Sequence, residues 1–166
     1  MRALLKILVK FFQTFINRFK YKFNIPFDVE YINLPITYSC NARCVMCDIW
    51  KINKEDKEKL NSEITVPQLI EFFEKNKNRL KKLKNIGITG GEPSLKENLI
   101  ELIRYLRKNY PQVRIGIQTH GLTPKKILPW ISEIYKVYPN IGIGVSLDGL
   151  KESHEKMRGI SKAFER

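Results

Sequence analysis

Four short apolar runs, at 31–38, 85–89, 113–119 and 141–146, alternate along this chain with longer amphipathic stretches. The runs have strand length, and the later three are rich in isoleucine, valine and glycine. Between them, apolar residues return at helical spacing. Thr65-Val66-Pro67 opens one helix, with Thr65 as N-cap, Pro67 early in the first turn, and Leu69, Ile70, Phe72, Phe73 and Leu80 on its buried side. A second spans about 96–109, with Leu99, Leu102, Ile103 and Leu106 inward and Pro111 closing it. A third lies between Pro124 and Tyr138, where Pro129 starts or kinks it. Residues 50–61 are polar and predict a surface segment. Strict strand-helix alternation implies an α/β fold on a parallel sheet, either open and doubly wound or part of a barrel.

Unusual polar residues fall where each run ends. Cys40 follows the first, Gly90-Gly91-Glu92-Pro93 the second, Thr119-His120-Gly121 the third and Ser146-Leu147-Asp148-Gly149 the fourth. In parallel α/β folds the carboxyl ends of the strands carry the ligand site, so these four segments are expected to meet in one cleft.

All three cysteines, Cys40, Cys44 and Cys47, stand within eight residues. Such a concentration asks for a metal. Three thiolates on a short loop can ligate one centre together, and since a 4Fe-4S cubane normally takes four cysteines, such a loop can leave one iron open. A structural zinc needs a fourth ligand, and the histidines are His120 and His154. A disulfide leaves one thiol over, and inert buried cysteines leave the clustering unexplained. Elsewhere, Gly90 and Gly91 let backbone approach a ligand closely. Glu92 offers a carboxylate to an ammonium group, and Pro93 stiffens the turn. Ser146 and Asp148 suit a ribose, and Arg158 suits a carboxylate. Each of these has a plain structural counterpart as a turn, a cap or a solvated side chain; a loop histidine such as His120 is more often satisfied by hydrogen bonds than catalytic.

The length of 166 residues and 43% apolar content suit one domain of ordinary core size. Lysine and arginine number 30 against 17 acids, a net charge of +13 that would suit nucleic acid, anionic lipid or an acidic partner. The basic residues of the body are scattered over 51–59, 75–84 and 104–108 without aromatic interleaving, which points to a solvated basic surface instead of nucleic-acid binding. Free thiols fit a reducing, cytoplasmic setting. Residues 1–30 stand apart as a basic amphipathic extension, with Leu4, Leu8, Phe11, Phe12, Phe15 and Phe19 near helical spacing. The run is too short and too charged to span a membrane and lacks a signal-peptide cleavage site. Either packing against the body or a partner, or peripheral membrane contact through residues 4–22, would use its apolar face. Packing is the expectation, since apolar stripes usually meet protein.

Taken together, the motifs resemble the radical S-adenosylmethionine (radical SAM) superfamily: Cys-x3-Cys-x2-Cys, then Gly-Gly-Glu-Pro, Thr-x-Gly and Ser-x-Asp-Gly, each after its strand. The resemblance runs from about Ile32 to the C-terminus. It implies a partial (β/α) barrel over residues 31–166, an enzyme of the oxidoreductase or transferase type, and two cofactors, a 4Fe-4S cluster and S-adenosylmethionine. Cys40, Cys44 and Cys47 would hold the cluster. Gly90, Gly91 and Glu92 would meet the methionine ammonium, with Pro93 in the same turn and Thr119 on the neighbouring strand end among the cofactor-binding residues. Ser146 and Asp148 would meet the ribose and Arg158 the carboxylate. Met46 stands where the family usually places an aromatic residue near the adenine, and His120 where relatives often have asparagine. The reaction implied is reductive cleavage of S-adenosylmethionine, with hydrogen abstraction from a substrate. A one-electron reductant of flavodoxin or ferredoxin type is implied as partner. The Ser-Leu-Asp-Gly and His-x3-Arg-Gly pattern is similar to the SPASM-type peptide maturases and implies a peptide substrate.

Barrels of this type continue through about six strand-helix units. A chain with four strands, ending at 161–166 in what reads as the start of the next helix, is expected to be the N-terminal part of a longer protein. Two other functions fit the residues: a zinc-stabilised Cys3His module that binds nucleic acid, and a cluster-binding fragment without chemistry of its own.

Overall fold

The computed structural model describes residues 2–23 and 28–166. Four strands, β1 (Tyr31–Pro35), β2 (Asn85–Thr89), β3 (Arg114–Thr119) and β4 (Gly142–Val145), form one sheet in the order β1-β2-β3-β4, with every neighbouring pair parallel. Strand order equals chain order. Each crossover therefore steps the same way, as in the wall of a barrel, whereas a doubly wound sheet reverses direction at its middle.

Seven helices accompany the strands in the described residues: α1 (Arg2–Lys22), α2 (Ile49–Glu55), α3 (Lys57–Asn61), α4 (Val66–Lys75), α5 (Leu99–Asn109), α6 (Pro124–Val137) and α7 (Lys151–Arg158). Helix α4 begins in a capping box, where the Thr65 hydroxyl and the Gln68 side chain each satisfy the other residue's backbone N–H. Pro124 stands in the first turn of α6, and Pro129 lies inside that helix.

One face of the sheet makes the core. Ile86, Ile88, Ile115 and Ile117 are buried against Leu69 and Phe73 of α4, Leu102, Ile103 and Leu106 of α5, and Ile134 of α6. Alternation then turns Gly87, Gly116 and Gln118 to the other face, which these helices leave uncovered. The outer edge of β4 has no strand partner among the described residues.

Three stretches differ from the sequence-based expectation. Residues 50–61 fold into the two short helices α2 and α3, the latter capped by the Asp56 carboxylate accepting from the Lys59 N–H at 2.8 Å. Helix α3 buries no side chain at all, so no apolar stripe announces it. Likewise, the helix after β4 is α7 at Lys151–Arg158, and residues 161–166 are turns. The side chains that α7 buries are His154 and Arg158, so apolar periodicity could not reveal it.

The third difference is α1. It forms as a helix, but its apolar face does not meet the body: from residue 5 to residue 23 every side chain is exposed except the half-buried Ile16 and Lys20, the latter ion-paired with Asp28 at 3.5 Å, so of the expected partners for that face the body is not one. No helix among the described residues is long and apolar enough to cross a membrane.

This division of core from extension predicts unequal costs. Ile88→Ala, at a fully buried position, is expected to destabilise the chain by about 2–5 kcal/mol in urea unfolding. Phe12→Ala on α1 should change stability by no more than about 0.5 kcal/mol. Comparable costs for the two would contradict the assignment of the core.

Candidate cofactor site

The carboxyl ends of the strands meet around a cavity of about 240 Å³. Its wall includes Cys40, Cys44, Met46 and Cys47 from the loop after β1, Gly90 and Gly91 after β2, Thr119 and His120 at the end of β3, Ser146 after β4, and Arg158 from α7. Glu92, Pro93 and Asp148, expected to face the ligand, are not on that wall.

The two glycines explain how the first two segments come so close. Gly90 has a left-handed φ of +123°, and a β-carbon there would stand 2.6 Å from the Thr37 carbonyl oxygen. At Gly91 a β-carbon would strike the Ser39 carbonyl and the side chain of Cys40. The Gly91 N–H donates to the Thr37 carbonyl at 2.7 Å and the Glu92 N–H to the Ser39 carbonyl at 2.7 Å. Only residues without a side chain let the β2 loop lie along the backbone that leads into the cysteines.

Glu92 works behind the wall. Its side chain is fully buried, one carboxylate oxygen accepting from the Ser94 N–H at 3.1 Å and the other from the His120 N–H at 3.0 Å. The Thr119 hydroxyl donates to the same carboxylate at 2.9 Å. The carboxylate thus ties the β2 loop to the end of β3, and Pro93 opens the 3-10 turn (Pro93–Leu95) that begins there.

His120 continues this network. Its Nδ1 accepts from the Leu122 N–H at 2.9 Å, which leaves the proton on Nε2, 2.7 Å from Asn41 Oδ1 in the cysteine loop. Burial lowers its basicity, opposed by the Glu92 carboxylate and helped by the Arg158 charge. With both ring nitrogens engaged, His120 offers no lone pair to a zinc ion. His154 is buried, with Nδ1 accepting from the Asp148 N–H at 3.2 Å.

Helix α7 holds the cysteine loop from the other side. The Arg43 N–H donates to the Arg158 carbonyl at 3.2 Å and the Val45 N–H to the Met157 carbonyl at 2.9 Å, so the loop satisfies the carbonyls left open at the helix end. Gly159 ends α7 in the left-handed conformation, and a side chain there would strike the Arg43 carbonyl. The buried guanidinium of Arg158 stands 2.7 Å from Asp148 Oδ2 through Nε, and its Nη1 donates to the Cys44 sulfur at 3.6 Å. Asp148 and Arg158, assigned separate ligand roles from sequence, thus pair with each other.

Trp50 and Gln118 also line the cavity. The Trp50 indole N–H donates to the Cys44 carbonyl at 3.1 Å, and the Arg43 guanidinium lies 5.0 Å over its ring. Gln118 donates to the Ser146 hydroxyl at 3.0 Å. Trp50 sat in a stretch that read as mere surface. Gln118 was detectable only as a polar residue on the face of β3 opposite Ile115 and Ile117.

The donor set fits an iron-sulfur cluster. Three soft thiol groups face one cavity, and Ala42, Cys44, Leu122 and Ala163 form a small apolar cluster around them. Burial pushes the Cys40 thiol up, opposed by the Ala42 backbone, so loading a metal must release its proton. Among the described residues, no three His, Cys, Asp or Glu side chains converge on one metal ion. A cubane does not require that convergence, since each thiolate takes its own iron corner.

Comparison with known proteins decides the family. The profile of the Radical SAM superfamily matches residues 34–166. The chain belongs to the radical SAM superfamily. Members are enzymes that use a 4Fe-4S cluster and S-adenosylmethionine. Over 136 residues the chain is 29% identical to the Fe-coproporphyrin III synthase of Methanosarcina barkeri, covering 78% of this chain and 30% of that protein. Over 124 residues it is 30% identical to the GTP 3',8-cyclase of Paenarthrobacter nicotinovorans, covering 73% and 32%. Among solved structures the fold is similar to Streptococcus suis SuiB bound to S-adenosylmethionine, with a TM-score of 0.59, 19% identity, and coverage of 84% of this chain and 30% of that one. It is similar also to anSMEcpe with bound AdoMet, with a TM-score of 0.57, 24% identity, and coverage of 83% and 40%. The chain therefore spans about a third of the length of the curated relatives it matches.

The Glu92 network makes a firm prediction. A glutamine has one carbonyl oxygen for two buried backbone N–H groups, so Glu92→Gln leaves the Ser94 or the His120 amide facing an NH2 group. The variant should lose about 1–3 kcal/mol in urea unfolding. Wild-type stability would mean that the carboxylate does not hold the two loops.

Proposed function

We propose that this chain forms the cofactor-binding part of a radical SAM enzyme, with Cys40, Cys44 and Cys47 holding a 4Fe-4S cluster and S-adenosylmethionine lying against the strand ends. When bound, the pair supplies a one-electron reductive cleavage that yields methionine and a 5'-deoxyadenosyl radical. Everything else falls to the polypeptide. Gly90 and Gly91 offer bare backbone to the methionyl ammonium, Glu92 and Pro93 fix that backbone from behind, and Thr119 on the wall donates to the Glu92 carboxylate. Arg158 serves the methionyl carboxylate and, through its N–H, the Cys44 sulfur; hydrogen bonds to cluster sulfurs tune reduction potential. Asp148, off the cavity wall, holds the guanidinium in place. The Ser146 hydroxyl contributes a ribose contact, and Met46 gives the adenine a soft apolar one.

Residues 31–166 constitute this core in the proposal, and residues 1–30 an extension to it. A cytoplasmic setting keeps the thiols reduced. The net charge of +13 favours an acidic one-electron donor of flavodoxin or ferredoxin type. SuiB, a neighbour in fold, is bound to a precursor peptide; a peptide substrate for this chain rests on that analogy.

The observation that carries the proposal is the meeting of three cysteines, two backbone-exposing glycines and a buried arginine on one cavity wall. A zinc module completed by His120 finds no support, because that ring is fully engaged. The test is anaerobic reconstitution with iron and sulfide, followed by reduction in the presence of S-adenosylmethionine. The chain should take up close to four irons and form 5'-deoxyadenosine, and Cys44→Ala should abolish both. Iron uptake without 5'-deoxyadenosine would mark an inert cluster-binding chain, and zinc uptake without iron would overturn the proposal.

A further inference from the structure

Helix α1 carries two chemically distinct faces that stay largely exposed, although Lys20 is half-buried and ion-paired with Asp28 at 3.5 Å. Leu5, Leu8, Phe12, Phe15 and Phe19 recur at intervals of three and four residues, and each is more than half exposed. Val9 and Phe11 flank this stripe and widen it to about 160° of the helix circumference at 3.6 residues per turn. Lys6, Lys10, Gln13, Asn17 and Lys20 occupy the opposite side. Between Arg2 and Phe23 there are six basic residues and no acid.

The breadth and the charge select the occupant. Paired helices bury a narrow seam flanked by charges of both signs. Here the apolar face is wide and every charge positive, so two copies of α1 would bring like charges together. An anionic bilayer surface meets both faces at once. The acyl boundary takes a broad apolar face rich in phenylalanine, and acidic headgroups attract the lysines. Lys6, Lys10, Arg18 and Lys20 interrupt the helix too often for it to cross, in keeping with the absence of any spanning helix among the described residues.

We propose that α1 lies in the plane of an anionic membrane surface, with the Phe12 and Phe15 side embedded at headgroup depth, and tethers the cofactor-binding domain to it. The tether does not depend on the chemistry of the site.

Flotation of the full chain with vesicles of phosphatidylcholine, alone or containing phosphatidylglycerol, tests the proposal. The chain should float with the anionic vesicles and at least about tenfold less with the neutral ones, and added salt should weaken binding. Phe12→Glu with Phe15→Glu should abolish flotation while leaving the unfolding midpoint unchanged, since these side chains are exposed. Lys6→Glu with Lys10→Glu should remove the preference for anionic lipid. Failure of the wild type to float, or equal flotation of the Phe12 and Phe15 variant, would overturn the proposal. So would a wild-type dimer in sedimentation that the same variant dissolves, because α1 would then face a second copy.

Discussion

A single buried carboxylate sets the arrangement on which the site depends. Glu92 accepts one backbone N–H from its own loop and one from the end of β3, and the Thr119 hydroxyl adds a third donor. The parallel sheet brings the strand ends near one another but does not fix the conformation of the loops that leave them. Glu92 supplies that constraint from behind the wall. Gly90 and Gly91, lacking side chains, let the same loop press against Thr37 and Ser39, the residues leading into Cys40. A polar group hidden from the cavity thereby decides where bare backbone is presented to it.

The cysteine loop has a different foundation. It is joined to the end of α7 by two backbone hydrogen bonds, and its side chains belong to a small apolar cluster separate from the main core. Its position is therefore linked to the short C-terminal helix, where Arg158 adds a guanidinium beside the Cys44 sulfur. A positive group and an apolar shell next to a thiolate are the protein's ordinary means of tuning a cluster. The fold and the electrostatics of the site are joined in one residue, which gives its carbonyl to the loop and its side chain to the sulfur.

Much of the architecture was legible in the sequence because apolar alternation reports burial directly. β2 matches the predicted 85–89 run, and α4, α5 and α6 lie where apolar periodicity and proline placed them, although α4 ends at Lys75, leaving Leu80 buried beyond it, and Phe72 is exposed. The convergence of strand-end motifs followed from topology alone. The polar interior was less legible. Glu92 read as a ligand-facing carboxylate, yet its partners are backbone amides, which no side-chain pattern encodes. Helix α7 escaped detection because it buries histidine and arginine in place of leucine. Trp50 was lost at the start of a stretch that is mostly charged and polar. In α1 the pattern correctly announced a helix, but it could not say what the apolar face meets.

A cubane held by Cys40, Cys44 and Cys47 would leave one coordination position available to S-adenosylmethionine beside Gly90, Gly91 and Arg158. Electron paramagnetic resonance of the reconstituted, reduced chain tests this most directly. A cubane signal whose g-values shift when S-adenosylmethionine is added is expected, with the shift weakened in Arg158→Ala. A cluster signal that does not respond to S-adenosylmethionine would contradict it.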